Sequence, residues 1–237
     1  MQPPYDTATG QPVTLDRRDG PYGEVVLRRR GTADGGDAVF EIIANGCFLM
    51  DTSDGRSERL LVRAALDALP AGRPAPALLI GGLGVGFSLA EAAGEPRWGR
   101  IAVVEREEAV VDWHRDGPLA AVSATALADP RTAIVRADLV AHLRAPDAPV
   151  YDALCLDIDN GPDWTVTEDN TGLYSPAGLA ACAARLTPDG VLAVWSARPS
   201  AAFEESLRNA GFSRVRTEEI TVARGVPDVV HIGIRGA

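Results

Sequence analysis

Short apolar runs alternate with helix-like segments along most of the chain from residue 75 onward. The strand candidates lie at residues 77–80, 101–105, 132–135, 151–157, 190–195, 212–217 and 228–234. Runs such as ALLI and DALCL are almost continuously apolar, which is typical of strands covered by helices on both faces. This alternation predicts a doubly wound, mostly parallel α/β sheet. Because no helix separates the last two strands, we expect one of them to be antiparallel.

The beginning of the chain has a different pattern. Strand-like runs occur at residues 23–29, 39–44 and 47–50. The Asn45-Gly46 dipeptide between the last two is a turn signal, and residues 57–69 carry apolar positions at helical spacing. We therefore expect three segments, namely a flexible lead-in over residues 1–22, a small antiparallel β-unit with a helix over residues 23–70, and the α/β domain over residues 71–237.

Composition and charge narrow the range of functions. The 237 residues are 46% apolar and 24% charged, which is typical of a globular protein. A net charge of −10, with no lysine, argues against a protein that binds the phosphate backbone of nucleic acids. The chain shows no leader sequence and no apolar run near the roughly 20 residues of a membrane span. We expect a soluble, cytoplasmic protein without a nucleic-acid or membrane partner.

The three cysteines are widely spaced and form no CxxC pair, which is typical of free thiols in a reducing compartment. Cys47 and Cys155 lie within apolar runs, so we expect both to be buried.

The first strand of the α/β region runs into a glycine-rich turn, LLIGGLGVG, which opens a helix. Gly82, Gly84 and Gly86 permit a tight turn and a close approach of backbone N–H groups to a ligand. The dinucleotide pattern GxGxxG would require glycine where Phe87 stands. The spacing therefore favours a nucleoside ligand without a pyrophosphate, such as S-adenosylmethionine (SAM), over NAD.

Acidic residues follow the next two strands. Glu105 closes the second strand of the α/β region, where a carboxylate can accept hydrogen bonds from both ribose hydroxyls. An exposed acid at the end of a strand is the alternative. Asp138 follows the third strand, where it could accept a hydrogen bond from an adenine amino group or cap the helix that begins at Leu139. These two roles are compatible.

The fourth strand ends in LDIDNGP, beside the point where ligands bind in open α/β sheets. Residues two apart on a strand share a face, so Asp157 and Asp159 are predicted neighbours, and their like charges would raise one pKa. Asp157 is the candidate general base, and Asp159 and Asn160 are candidate substrate contacts. The alternative is that Asp-Asn-Gly-Pro is only a turn sequence.

The segment over residues 160–175 crosses the same edge of the predicted sheet and could cover a substrate. Trp164 and Tyr174 are its candidate pocket aromatics, with surface packing as the alternative. The three histidines show no ligand spacing and no Cys/His cluster exists, so we expect no metal site.

From residue 23 onward, the chain resembles the spermidine synthase-like branch of the SAM-dependent methyltransferase fold. The resemblance rests on the ordered series of β-unit, LLIGGLGVG, VVE, the acid after the third strand, YDALCLDIDNGP and LYSPAGLAACAARLTPDGVLAVWS. It implies a seven-stranded sheet and a homodimer. It also implies that Glu105 binds the ribose, that Asp138 binds the adenine and that Asp157 acts on a substrate amine.

The chain departs from aminopropyltransferases of this family at three places. Those enzymes usually carry an aspartate in the glycine loop where this chain has Gly84, and a second acid where it has Asn160. The N-terminal helix of those enzymes also carries a tyrosine-glutamine or tyrosine-histidine pair that helps to bind the polyamine, and no such pair is evident in residues 57–63.

These departures favour a SAM-dependent methyltransferase acting on a small molecule, for which an amine is one candidate acceptor. The alternatives are an aminopropyltransferase that uses decarboxylated SAM and a non-catalytic nucleoside-binding protein, with a NAD enzyme more distant.

Overall fold

A computed structural model describes residues 11–31, 37–165, 170–222 and 225–236. The chain divides into two compact units, residues 1–54 and residues 55–237. No helix of the described residues is both long and apolar enough to cross a membrane.

The first unit contains a four-stranded antiparallel meander in the order β1-β2-β3-β4. Its strands are β1 (Val13–Gly20), β2 (Gly23–Arg30), β3 (Val39–Ala44) and β4 (Cys47–Asp51). The predicted Asn-Gly turn is confirmed, since Asn45 and Gly46 both have positive φ and Ala44 pairs with Cys47. Cys47 is exposed, because it opens an edge strand, so the prediction that it is buried is wrong.

Residues 13–20, which the sequence placed in a flexible lead-in, instead pair with β2 as strand β1. This strand has no buried apolar face, and it is held in the sheet by its backbone hydrogen bonds. The pattern of its polar side chains therefore does not predict a strand. Residues 1–10 of the expected lead-in lie outside the described residues.

The second unit is built on a seven-stranded sheet in the order β10-β11-β9-β8-β5-β6-β7, which confirms the predicted fold class. Its strands are β5 (Ala77–Gly81), β6 (Arg100–Glu105), β7 (Thr132–Arg136), β8 (Tyr151–Leu156), β9 (Leu186–Ser196), β10 (Phe212–Ile220) and β11 (Asp228–Arg235). Only β11 runs antiparallel to both of its neighbours, as the missing helix before it predicted.

Helices cover both faces of this sheet, which explains the nearly continuous apolar strands. They are α1 (Arg56–Ala68), α2 (Phe87–Gly94), α3 (Glu108–Arg115), α4 (Ala120–Leu127), α5 (Leu139–Arg144), α6 (Thr171–Tyr174), α7 (Pro176–Ala184) and α8 (Ala201–Asn209). The sequence grouped α1 with the β-unit, but α1 packs against β8, β9 and β11 of the second unit. The Cys155 thiol on β8 lies 3.7 Å from the carbonyl oxygen of Leu61 on α1.

One arginine fastens the connection from α5 to β8. The Arg185 guanidinium donates to the carbonyl oxygens of Leu143, Ala145 and Ala148 at 2.9, 2.8 and 2.7 Å. A single cationic side chain therefore satisfies three acceptors that no helix or strand pairs.

Replacing this side chain with an apolar one should destabilise the second unit. We expect Arg185→Met to lower the free energy of unfolding by roughly 2–4 kcal/mol, because the three carbonyls lose a charged donor. Arg115→Met, on the exposed end of α3, is the control and should change stability by less than about 0.5 kcal/mol. Equal denaturant midpoints for the two variants would contradict this assignment.

Candidate functional site

The glycine loop between β5 and α2 has the predicted strand–turn–helix form. Gly82, Gly84 and Gly86 have φ values of +91°, +50° and +95°, in the left-handed region that glycine tolerates. A Cβ at position 82 would lie 2.5 Å from the carbonyl oxygen of Asp157. Glycine is therefore required at this position, because the loop passes directly over the end of β8.

Glu105 is a buried carboxylate at the end of β6. Its two oxygens accept the backbone N–H groups of Leu83 at 2.9 Å and Glu107 at 2.8 Å. Burial raises the pKa of Glu105, and these two hydrogen bonds oppose the rise. Each oxygen retains a lone pair, so the carboxylate can hold the loop and still accept from a diol.

Asp138 caps α5. One of its carboxylate oxygens accepts the backbone N–H of Ala141 at 2.8 Å. The structure thus shows the capping role that the sequence left open, and the adenine contact stays a prediction that uses the other oxygen.

Asp157 leaves the end of β8, and its N–H donates to the carbonyl oxygen of Gly81 at 3.0 Å. Burial raises the pKa of Asp157 well above its ordinary value, and the negative charges of Glu58 and Asp228 raise it further. Glu58 lies in the first turn of α1 and Asp228 begins β11, with 6% and 5% of their surfaces exposed. We call these three side chains the carboxylate cluster.

Sequence reasoning missed Glu58 and Asp228. Glu58 was read as part of a helix in another unit, and Asp228 as the first residue of a strand. Both acids occupy buried positions. An acidic residue at a position expected to be buried is the one signal in the sequence that could have identified them.

The prediction that Asp159 raises the pKa of Asp157 is wrong, because the charges that raise it are those of Glu58 and Asp228. Asp159 has a φ of +56°, so the chain has left the strand and the alternation of faces no longer holds. Its carboxylate accepts the side-chain amide N–H of Asn170 at 2.9 Å. Asp159 therefore shapes the loop that follows β8.

The remaining predicted substrate contacts lie in the segment over residues 160–175, of which residues 166–169 are outside the described residues. Asn160 is buried, and its amide nitrogen has no hydrogen-bond partner within the described chain. Trp164 is 54% exposed. Tyr174 donates to the carbonyl oxygen of Ile158 at 3.2 Å and packs edge-on against Phe203. Tyr174 thus anchors the segment to the core.

Trp195 lies between the acids on the same face of the sheet. Leu156 of β8 is the register partner of Val194 of β9. The residues that follow them, Asp157 and Trp195, therefore also lie side by side and on the same face of the sheet. Trp195 pairs with Val230, two residues after Asp228 on that face. The indole is 7% exposed, and its N–H has no partner among the residues described. An aromatic ring beside carboxylates is a favourable surface for a cation.

The carboxylate cluster does not form a metal site. Across the described ranges, no group of three or more His, Cys, Asp or Glu side chains could hold an ion. The arrangement can instead hold a nucleoside over the glycine loop and present carboxylates to a cationic group beside it.

Because the pKa of Asp157 is raised, its contribution to the stability of the folded state should fall as pH increases. The folded state holds this proton more tightly than the unfolded chain does, so stability is lost as pH rises from the ordinary value of 3.8 through the folded pKa. We expect Asp157→Asn to unfold at a higher temperature than the unmodified protein at pH 8 and to show a smaller advantage at pH 4.

Each kcal/mol gained should appear as roughly 2–4 °C in thermal scans of a chain of this size. Asp67→Asn, on the exposed side of α1, is the control and should leave both transitions unchanged. A lower transition for Asp157→Asn at pH 8 would contradict the raised pKa.

Comparisons with known proteins agree with this geometry. Polyamine aminopropyltransferase 2 of Streptomyces coelicolor is 33% identical over 214 residues, which cover 87% of this chain and 36% of that protein. Putrescine N-methyltransferase 3 of Nicotiana tabacum is 33% identical over 136 residues, which cover 56% of this chain and 32% of that protein. The chain therefore spans about a third of the length of these relatives. No family model matches it.

Two solved spermidine synthases share the fold. One, in complex with the transition state analogue AdoDATO, has a TM-score of 0.73 at 18% identity and aligns over 94% of this chain and 74% of its own. The other, from Thermotoga maritima, has a TM-score of 0.72 at 17% identity and aligns over 94% of this chain and 73% of its own. The chain therefore has the fold of the spermidine synthases and is similar in sequence to the aminopropyltransferase and N-methyltransferase relatives.

Proposed function

We propose that this protein transfers an aminopropyl group from decarboxylated SAM to a small amine. The observation that carries the proposal is the carboxylate cluster, in which the charges of Glu58 and Asp228 act on Asp157, at the end of β8 that the glycine loop crosses. The names of the relatives from Streptomyces and Nicotiana both describe transfer to amines, and the aminopropyltransferase aligns over more of this chain. These comparisons support the aminopropyl reaction over the methyl transfer that the sequence favoured.

The residues of the loop fit a sulfonium nucleoside. The positive φ angles at Gly82, Gly84 and Gly86 keep the turn tight, and the absence of side chains at these three positions leaves the backbone there open to a ligand. Glu105 would accept from the ribose hydroxyls and Asp138 from the adenine amino group. The bound cosubstrate supplies a carbon activated by a positively charged sulfur.

Charge distinguishes the two cosubstrates. Decarboxylated SAM carries a sulfonium and an ammonium, whereas SAM adds a carboxylate. The carboxylate cluster attracts the first pair of charges and repels the carboxylate of SAM. Trp195 adds a ring face suited to a cation between Asp157 and Asp228.

Asp157 would act as the general base. The raised pKa makes this carboxylate a stronger proton acceptor than an exposed aspartate. Attack by the amine nitrogen forms the N–C bond as the C–S bond breaks, and the electron pair stays on sulfur. The proton lost from nitrogen passes to Asp157. Glu58 and Asp228 would hold the cationic parts of the acceptor, so that positioning supplies much of the rate.

Methyl transfer from SAM to the same kind of acceptor is the second candidate. Gly84 favours it, because a glycine there lacks the loop carboxylate that would hold the amine of decarboxylated SAM. Both reactions would use the same base and the same acceptor site.

Product analysis separates these reactions. The protein is incubated with putrescine and either decarboxylated SAM or SAM, and the products are identified by mass spectrometry. We expect gain of one aminopropyl group together with methylthioadenosine. Gain of one methyl group from SAM alone would overturn the aminopropyl proposal, and cosubstrate binding without turnover on an amine panel would overturn both in favour of a binding protein.

Substitutions in the carboxylate cluster should affect different kinetic constants. We expect Asp157→Asn to lower kcat by about 10²–10⁴-fold, because it removes the base. Glu58→Gln should mainly raise the KM for the amine, by about tenfold, because it removes one charge from the acceptor site. Asp67→Asn on the same helix is the control. Unchanged kcat in Asp157→Asn would contradict the assignment of the base.

A further inference from the structure

A buried histidine contacts the glycine loop from the side of the helices. His114 lies near the end of α3 with 1% of its surface exposed. Its Nε2 lies 2.8 Å from the carbonyl oxygen of Gly84, and its Nδ1 lies 2.6 Å from the Ser123 hydroxyl on α4. Ser123 is fully buried. Neither residue is among the strand-end acids of the reaction proposed above.

The two contacts define which ring nitrogen carries the proton. A carbonyl oxygen only accepts, so Nε2 must carry the hydrogen and donate to Gly84. Burial lowers the pKa of His114, which favours the uncharged ring. The Ser123 hydroxyl lies within reach of two acceptors, Nδ1 at 2.6 Å and the carbonyl oxygen of Leu119 at 3.4 Å, and it donates to the nearer one, Nδ1. His114 is thus a neutral donor with a defined tautomer.

The ring also fills the space beside the last glycine of the loop. A Cβ at Gly86 would lie 2.8 Å from Cε1 of His114 and 3.2 Å from Cβ of Ser123. His114 therefore hydrogen-bonds Gly84 and packs against Gly86, whereas Gly82 approaches the carbonyl of Asp157.

We infer that His114 and Ser123 form a latch that positions the glycine loop for the cosubstrate. Glycines have many accessible conformations, so a loop of this kind needs fasteners if its N–H groups are to be preorganised. Glu105 fastens the loop at the N–H of Leu83, and His114 fastens it at the next residue through the carbonyl of Gly84. The latch holds that carbonyl toward α3. His114 is a positioning residue, and the inference rests on the proposed binding of a nucleoside at this loop.

Three substitutions test the hydrogen bond separately from the packing. His114→Gln places an amide nitrogen near the position of Nε2 and keeps a donor for Gly84. His114→Asn reaches only as far as Nδ1, and His114→Leu fills the space without any donor. Ser123→Ala is a milder variant that keeps the Gly84 bond and removes only the group that orients the ring. His142→Leu on α5 is the control.

Hydrogen exchange of the ligand-free proteins measures directly how firmly the latch holds the glycine loop. We expect the amides of residues 83–87 to exchange about tenfold faster in His114→Leu and His114→Asn, since one hydrogen bond of about 1.4 kcal/mol is lost. Exchange should return to within about threefold of the original rate in His114→Gln and lie between these limits in Ser123→Ala. Unchanged loop exchange in His114→Leu, or a general increase across the sheet, would overturn the latch.

Calorimetric titration with decarboxylated SAM and with SAM measures the effect of the latch on cosubstrate binding. The dissociation constant should rise about tenfold in His114→Leu and His114→Asn and recover in His114→Gln, while kcat at saturation changes less than about threefold. Unaltered affinity in the Leu and Asn variants would overturn the positioning role. If the original protein binds neither compound, the proposed function fails, and the exchange experiment still decides whether the latch exists.

Discussion

The site depends on the close approach of three strand ends. The N–H of Asp157 donates to Gly81 and the N–H of Gly82 donates to Val104, at 3.0 and 2.9 Å, so that β5, β6 and β8 are tied where they leave the sheet. No side chain fits at Gly82, because the carbonyl of Asp157 occupies that space. This constraint forces glycine into the turn, brings Glu105 under the loop and places Asp157 beside it. The geometry that builds the fold here also builds the site.

Burial of the acids destabilises the folded state, but it also raises the pKa of Asp157, as the proposed general base requires. Burying carboxylates near one another disfavours their charged forms, which is why the pKa of Asp157 rises. A protein selected only for stability would avoid such a cluster. Its position at the edge where open α/β sheets bind ligands supports the proposal of a cationic substrate. The Arg185 tie lies at the opposite ends of the strands, just before β9 begins, and supplies stability that the acids do not.

The parts of this site that sequence could predict are those fixed by local geometry. Glycines in a strand–helix turn, an acid at the end of β6 and a cap at Asp138 each follow from a single segment and a known period. Asp159 defeated the same reasoning, because β8 ends at Leu156 and the chain beyond it, where Asp159 has a positive φ, no longer alternates between faces. Glu58, Trp195 and Asp228 come together only through the packing of α1 and the order of β8, β9 and β11, which no single segment encodes.

The choice between aminopropyl and methyl transfer also lay beyond the local pattern. The glycine at position 84, Asn160 in place of an acid and the lack of an evident tyrosine pair in residues 57–63 pointed to ordinary SAM. Glu58 of α1 and Asp228 of β11 support the proposal of a cosubstrate without a carboxylate.

In the proposed function, the acidic edge selects a doubly cationic cosubstrate. This selection is measured by the dissociation constants for decarboxylated SAM and SAM, determined by titration calorimetry at one ionic strength. We expect decarboxylated SAM to bind at least about tenfold more tightly. Equal binding of the two compounds, or tighter binding of SAM, would contradict it.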